Sequence, residues 1–112
     1  MERISWQEFN AVEMRVGKII SVEEFPEARN PSFWVHVDFG KNIGVKKSSV
    51  AIRNLYQLQE LMGRLIVAVT NFPPKQIATH RSEVLILAAV NADGSMKLLQ
   101  PDGEVELGAR VG

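Results

Sequence analysis

Phe33-Trp34-Val35-His36-Val37-Asp38-Phe39 alternates apolar and polar or mixed residues along its whole length. Successive side chains of a strand point to opposite faces, so Phe33, Val35, Val37 and Phe39 share one face. Trp34, His36 and Asp38 share the other. The stretch therefore predicts a strand with its odd-numbered face in a core. Gly40-Lys41-Asn42 reads as the turn of a hairpin, and Ile43 to Val50 as its partner strand. On the N-terminal side, Phe25-Pro26-Glu27-Ala28-Arg29-Asn30-Pro31 is a loop, because two prolines forbid regular pairing. Before it, Met14 to Val22 predicts a strand in which Met14, Val16, Ile20 and Val22 have a common parity. Gly17 within it predicts a bulge or sharp bend, of the kind that closes a small barrel.

Further out, Ser5-x-x-Glu8 is a capping-box pattern and predicts a short helix that ends by Val12. Residues 51–62 carry Leu55, Leu58, Leu61 and Met62 at helical spacing and stop at Gly63, so a second helix is expected there. Leu65 to Thr70 is rich in β-formers and ends at Asn71-Phe72-Pro73-Pro74. Val84 to Val90 is the longest apolar run and predicts a buried central strand over Glu83 to Val90. Asn91-Ala92-Asp93-Gly94 turns into a last strand, Met96 to Leu99. In the tail, Val105, Leu107 and Val111 alternate, so it is expected to pack. Three strands, a helix and two strands predict an all-β fold: a five-stranded Greek-key barrel of the OB type, with short helices and β-rich terminal extensions.

The 112 residues make one domain, 1–112, with an ordinary apolar share of 46% and charged share of 23%. The absence of cysteine excludes disulfide and thiol chemistry. The first residues lack the apolar centre of a signal peptide, and no window approaches a membrane span. A cytoplasmic protein without membrane insertion is expected. No phosphate loop is present, and His36 and His80 lack ligand spacing, so no enzyme activity, metal or cofactor is expected.

The chain is neutral, but its charge is unevenly placed. Residues 1–28 carry net −3, residues 29–81 net +6 and residues 82–112 net −3. A basic centre in a neutral chain can present a local positive field to an anionic partner. Its candidate contacts to nucleic acid are Lys46, Lys47, Arg53, Lys75, Arg81 and Ser82. Candidate contacts to peptides are Trp34 and His36, on the outward face of their strand, and Phe72 and Ile77, which flank the rigid Pro73-Pro74 unit. Trp34 is expected to be exposed and to receive an apolar side chain or a base. The alternative is that the terminal segments or a second subunit cover it. Phe72 either projects to solvent or is buried by a proline-capped turn.

Several words of the chain are similar to the tRNA-binding OB-fold domain family, found alone and as an appendage of some aminoacyl-tRNA synthetases. They are Met14-Arg15-Val16-Gly17-Lys18-Ile19, Val37-Asp38-Phe39-Gly40, Ser48-Ser49-Val50, Leu61-Met62-Gly63-Arg64, Asn71-Phe72 and Ser82-Glu83. Within that family, Glu24-Phe25-Pro26-Glu27-Ala28-Arg29, Ile43-Gly44-Val45-Lys46, Asn71-Phe72-Pro73-Pro74 and Ser82-Glu83-Val84-Leu85 resemble a branch of small bacterial chaperones associated with protein export. The tRNA binders carry a Lys-Met-Arg-Gly-like word where this chain has Gln76-Ile77-Ala78-Thr79, so two cations become Gln76 and Ala78. The stretch joining Ser49 to Leu61 is also longer here. Both departures favour the chaperone branch. The resemblance implies a homodimer joined through its terminal segments. It further implies a role in holding unfolded or extended preprotein segments for the export machinery. The alternative it leaves is a structure-specific tRNA-binding module.

Overall fold

The computed structural model describes residues 1–52 and 54–112. Helix α1, Trp6–Asn10, opens with the expected capping box. The Glu8 N–H donates to Ser5 Oγ at 3.0 Å, and the Ser5 N–H donates to Glu8 Oε1 at 2.9 Å.

The spine of the barrel is β1, Met14–Glu24. Its first half, Met14–Lys18, pairs antiparallel with β4, Leu65–Val69. Its second half, Lys18–Glu24, pairs with β2, Phe33–Asp38, which in turn pairs with β3, Val45–Val50. Between β3 and β4 lies helix α2, Leu58–Leu61. After β4 come a hairpin of β5, Lys75–Ile77, and β6, His80–Ser82, then β7, Leu85–Ile86, on the edge of β4. A second hairpin joins β8, Ala88–Val90, to β9, Met96–Leu98. Strand β10, Arg110–Val111, returns to pair with Met14 and Arg15. The sheet order β3-β2-β1-β4-β7 makes a nearly closed antiparallel barrel, and the expected all-β OB-like architecture stands.

The odd face of β2 is inward as the alternation requires. Phe33, Val35, Val37 and Phe39 join Ile19, Ile66, Ala68, Leu61 and Ile86 in one core, each almost fully buried. The parity expected for β1 does not hold. The register shifts between Ile19 and Ser21, leaving Ile20 as the extra residue of a bulge. Before the bulge Ile19 faces the core; at the bulge Ile20 is exposed; after it Val22 packs on the core again. Gly17 is not the bulge residue. A Cβ there would lie 2.5 Å from Val37 Cγ1 and 2.8 Å from the Phe39 ring, so the glycine lets β1 pass beneath those two side chains.

Two further expectations are corrected. The helix over 51–62 shrinks to Leu58–Leu61. Before it Ile52 and Tyr56 are buried in an irregular turn, with the Leu55 and Tyr56 N–H groups donating to the Ile52 carbonyl. The Tyr56 hydroxyl accepts from the Leu98 N–H at 3.0 Å, a tertiary tie that outweighs helical propensity. Glu83 to Val90 is not one central strand. It divides between the β4 edge and the β8–β9 hairpin, and within Val84 to Val90 Leu85 and Val90 are exposed. The tail does pack: the Val16 N–H donates to the Ala109 carbonyl and the Gly108 N–H to the Val16 carbonyl.

Candidate peptide-binding groove

Unequal chain lengths create the groove. The β4–β7 ladder stops at Val69 opposite Leu85, and the β5–β6 ladder starts at Lys75 opposite Ser82. Between them the incoming limb has five residues, 70–74, and the outgoing limb has two, Glu83 and Val84. The longer limb must bow outward. Pro73 and Pro74 have no N–H to pair across the gap and hold the bow stiffly. Its base is tied down by Asn71, whose Oδ1 accepts the Glu13 N–H at 3.1 Å and whose Nδ2 donates to the Ala11 carbonyl at 2.7 Å.

The result is an open groove of about 700 Å³. Phe72, Pro73, Pro74, Ile77, Val84 and Leu85 supply its apolar lining, with Ser49, Lys75, Gln76, Ser82 and Glu83 between them. Phe72 is 54% exposed, so it projects into this space rather than filling a core. Ile77 is half-buried along the β5 wall.

The floor is braced by the seam that closes the barrel. The Glu83 N–H donates to the Lys47 carbonyl at 2.8 Å, and the Lys47 N–H donates to Glu83 Oε1 at 3.1 Å. The Ser82 hydroxyl donates to Ser48 Oγ at 3.1 Å and accepts from the Ser49 N–H at 3.3 Å. The Ser48 hydroxyl reaches the Val84 carbonyl at 3.0 Å. Ser82, a candidate contact to nucleic acid in the sequence, is 8% exposed, with its hydroxyl engaged in the seam.

Trp34 is also corrected. It does lie outside the barrel core, but it is 4% exposed. The chain itself supplies cover for it. Phe25 stands edge-on at 5.3 Å and the His80 ring at 4.5 Å, between ring centroids. Trp34 and His36 do not line the groove, whereas Phe72 and Ile77 do. His36 is half-buried, and its Nδ1 is buried with no hydrogen-bond partner among the described residues.

The candidate cations do not form one face. Lys46 pairs opposite Val37, on the core parity of β3, and Lys47 opposite His36, on the outer parity. Lys75 lines the groove, whereas Arg81, opposite Gln76 in the β5–β6 ladder, does not. Arg53 lies outside the described residues. The Gln76 amide donates to the Ala78 carbonyl at 2.8 Å and so ties off the hairpin tip.

Sequence reasoning missed the β5–β6 hairpin and with it His80, Val84 and Leu85 as neighbours of the site. The signal was the two-residue Ala78-Thr79 turn, which lacks the glycine or asparagine that marks such hairpins.

A barrel of this topology, with a groove beside the proline limb, defines an OB-type domain. The chain belongs to the family described as "Putative tRNA binding domain", whose model matches residues 14–110. It is of the CsaA type within that family. The CsaA chaperone protein of Picrophilus torridus is 45% identical, with a TM-score of 0.91 over 98% of this chain and 100% of that one. CsaA from Bacillus anthracis is 40% identical, with a TM-score of 0.92 over 99% and 100%. Methionine–tRNA ligase of Pyrococcus furiosus is 35% identical over 111 residues, 99% of this chain. The chain spans 15% of that enzyme's length.

Proposed function

We propose that this protein is a non-catalytic chaperone that binds unfolded or extended segments of preproteins destined for export. The observation that carries this reading is the groove itself. It is open, mainly apolar, and walled by an exposed Phe72 on a stiff limb. Such a surface buries apolar side chains without demanding a fixed pattern of polar partners, which suits sequence-tolerant binding. The likeness to two proteins named as CsaA chaperones over nearly the whole chain supports it. Phe72 and Ile77 would take the client side chain. Cytoplasmic placement and hand-over to the export machinery belong to the same reading.

The test is affinity for a fluorescein-labelled unfolded polypeptide. Phe72→Ser should weaken it about tenfold, the loss of one buried aromatic contact, at unchanged denaturant midpoint. Unchanged affinity would remove the groove from consideration.

The same reading includes a homodimer. Ile4 is 67% exposed and Trp6 81%, and Ile4, Trp6 and Phe9 line an apolar hollow with Gly112. Apolar surface of this kind at both termini suits an interface of at least ~1,200 Å². Light scattering at micromolar concentration should give twice the 12.5 kDa of one chain; a monomer would overturn the pairing.

A second reading, a tRNA-binding module, is favoured by the matched family and by the methionine–tRNA ligase relatives. It would use Lys46, Lys47, Arg53, Lys75 and Arg81. The division of these cations between faces predicts weak binding, with a log–log salt slope no steeper than about −4. Tight tRNA binding at high salt would put this reading first.

A further inference from the structure

We propose that His80 is a positioning residue for the groove, holding the β5 wall in place by lodging its ring between Phe25 and Trp34. The inference rests on the groove being the client site. Strand β5 pairs with β6 alone among the described residues, so the wall it forms is fixed through β6. Among the described residues, two of its side chains anchor that strand. One is Ser82 in the seam, at the base of the hairpin. The other is His80, next to the tip, with its ring centroid 4.5 Å from those of both Phe25 and Trp34. The rings meet at 47° and 75°, so the imidazole is gripped on two sides. Thr79 Oγ1, 3.0 Å from Nδ1, fixes its rotation.

His80 stands directly opposite Ile77 in the ladder, and cross-strand partners share a face. The residue that lines the groove is thus set by the residue in the aromatic clamp. The tip supplies a reason why a clamp is needed. Ala78 has φ +52°, a left-handed conformation that a Cβ disfavours. Without the ring, the hairpin is held at its base while its tip is free to relax. The β5 wall then loses its fixed distance from Phe72, and the site pays more ordering cost on binding.

The probe is a short fluorescein-labelled peptide alternating leucine and serine, read by anisotropy on the full chain. A Trp6→Phe background leaves Trp34 as the sole indole, whose emission reports the clamp. His80→Ala should weaken peptide binding about fivefold or more and shift Trp34 emission to the red. His80→Phe, which keeps the ring but not the imidazole nitrogens, should restore affinity to within about twofold of the parent and hold the emission. If His80→Ala does not fold, His80→Gln serves in its place, since it loses the aromatic contacts, and should weaken binding likewise. Parent affinity in His80→Ala or His80→Gln alongside red-shifted Trp34 emission overturns the proposal, as does failure of His80→Phe to restore binding. Phe72→Ser separates the two levels. If it too leaves affinity unchanged, the groove reading falls and carries this one with it. If it weakens binding while the His80 variants do not, the positioning role falls alone.

Discussion

Trp34 shows how far strand parity reaches at a single residue. Alternation correctly places it off the barrel core, because a one-residue step flips a side chain to the other face. It does not say what waits on that face. Phe25, in a proline-bounded loop, and His80, on a hairpin 46 positions away in sequence, cover it. A contact between residues so distant leaves no local pattern to read. Phe72 was half legible: the two following prolines cannot pair and so mark an irregular limb, but whether the ring projected or was buried stayed open until the structure showed it exposed. The corrected position of Trp34 reverses the expected effect of its removal. Trp34→Ala should cost about 3–5 kcal/mol, as for a buried aromatic, seen as a lower denaturant midpoint. A loss below about 1 kcal/mol would mean the ring is not packed as described.

At the scale of elements, the strands with clear alternation or strong β-composition were readable to within a few residues, as β1 to β4 show. The misreadings share a cause. Helical spacing in 51–62 was overridden by Ile52 and Tyr56 turning into the core, and the apolar run 84–90 was shared between two partners. The β5–β6 hairpin was hidden by its turn. Ala78 takes a position that favours glycine, so local sequence and local conformation disagree there. Ala78→Gly should therefore stabilise the protein by roughly 0.5–1 kcal/mol, the release of left-handed strain less the entropy glycine loses on folding. The shift in thermal or denaturant midpoint measures it. A destabilisation would show that the tip's methyl group makes contacts worth more than its strain. At the base of the proline limb, the carboxyl of Glu13 is held below its ordinary 4.5 by the hydrogen bond and charge of Arg15, 2.7 Å away. A lowered folded value means this pair supports the fold above that range and ceases to as pH falls through it.

For the molecule as a whole, the OB-like barrel was legible because a few long-range pairings decide it, and their strands announce themselves. The groove was half legible. Its apolar residues stood out, but its shape comes from a length mismatch between two limbs, visible once both ladders are known. The meeting of the terminal segments has a different consequence. Strand β10 pairs beside the start of β1, Arg110 Nη2 donates to the Asn10 carbonyl at 2.8 Å, and Gly112 sits with Ile4 and Trp6. The order in which the strands are synthesised is thus separable from the shape they make. Joining residue 112 to residue 1 by a short glycine–serine link, and opening the chain at the exposed Ala92–Asp93 turn, should give a circular permutant with the same barrel and the same groove. Its thermal unfolding should stay cooperative, with a midpoint within a few degrees of the parent. A permutant that failed to fold would show that the β8–β9 hairpin must form as one continuous piece. Success would allow a partner domain to be grafted at the Ala92–Asp93 tip, leaving the proline limb and its neighbours untouched.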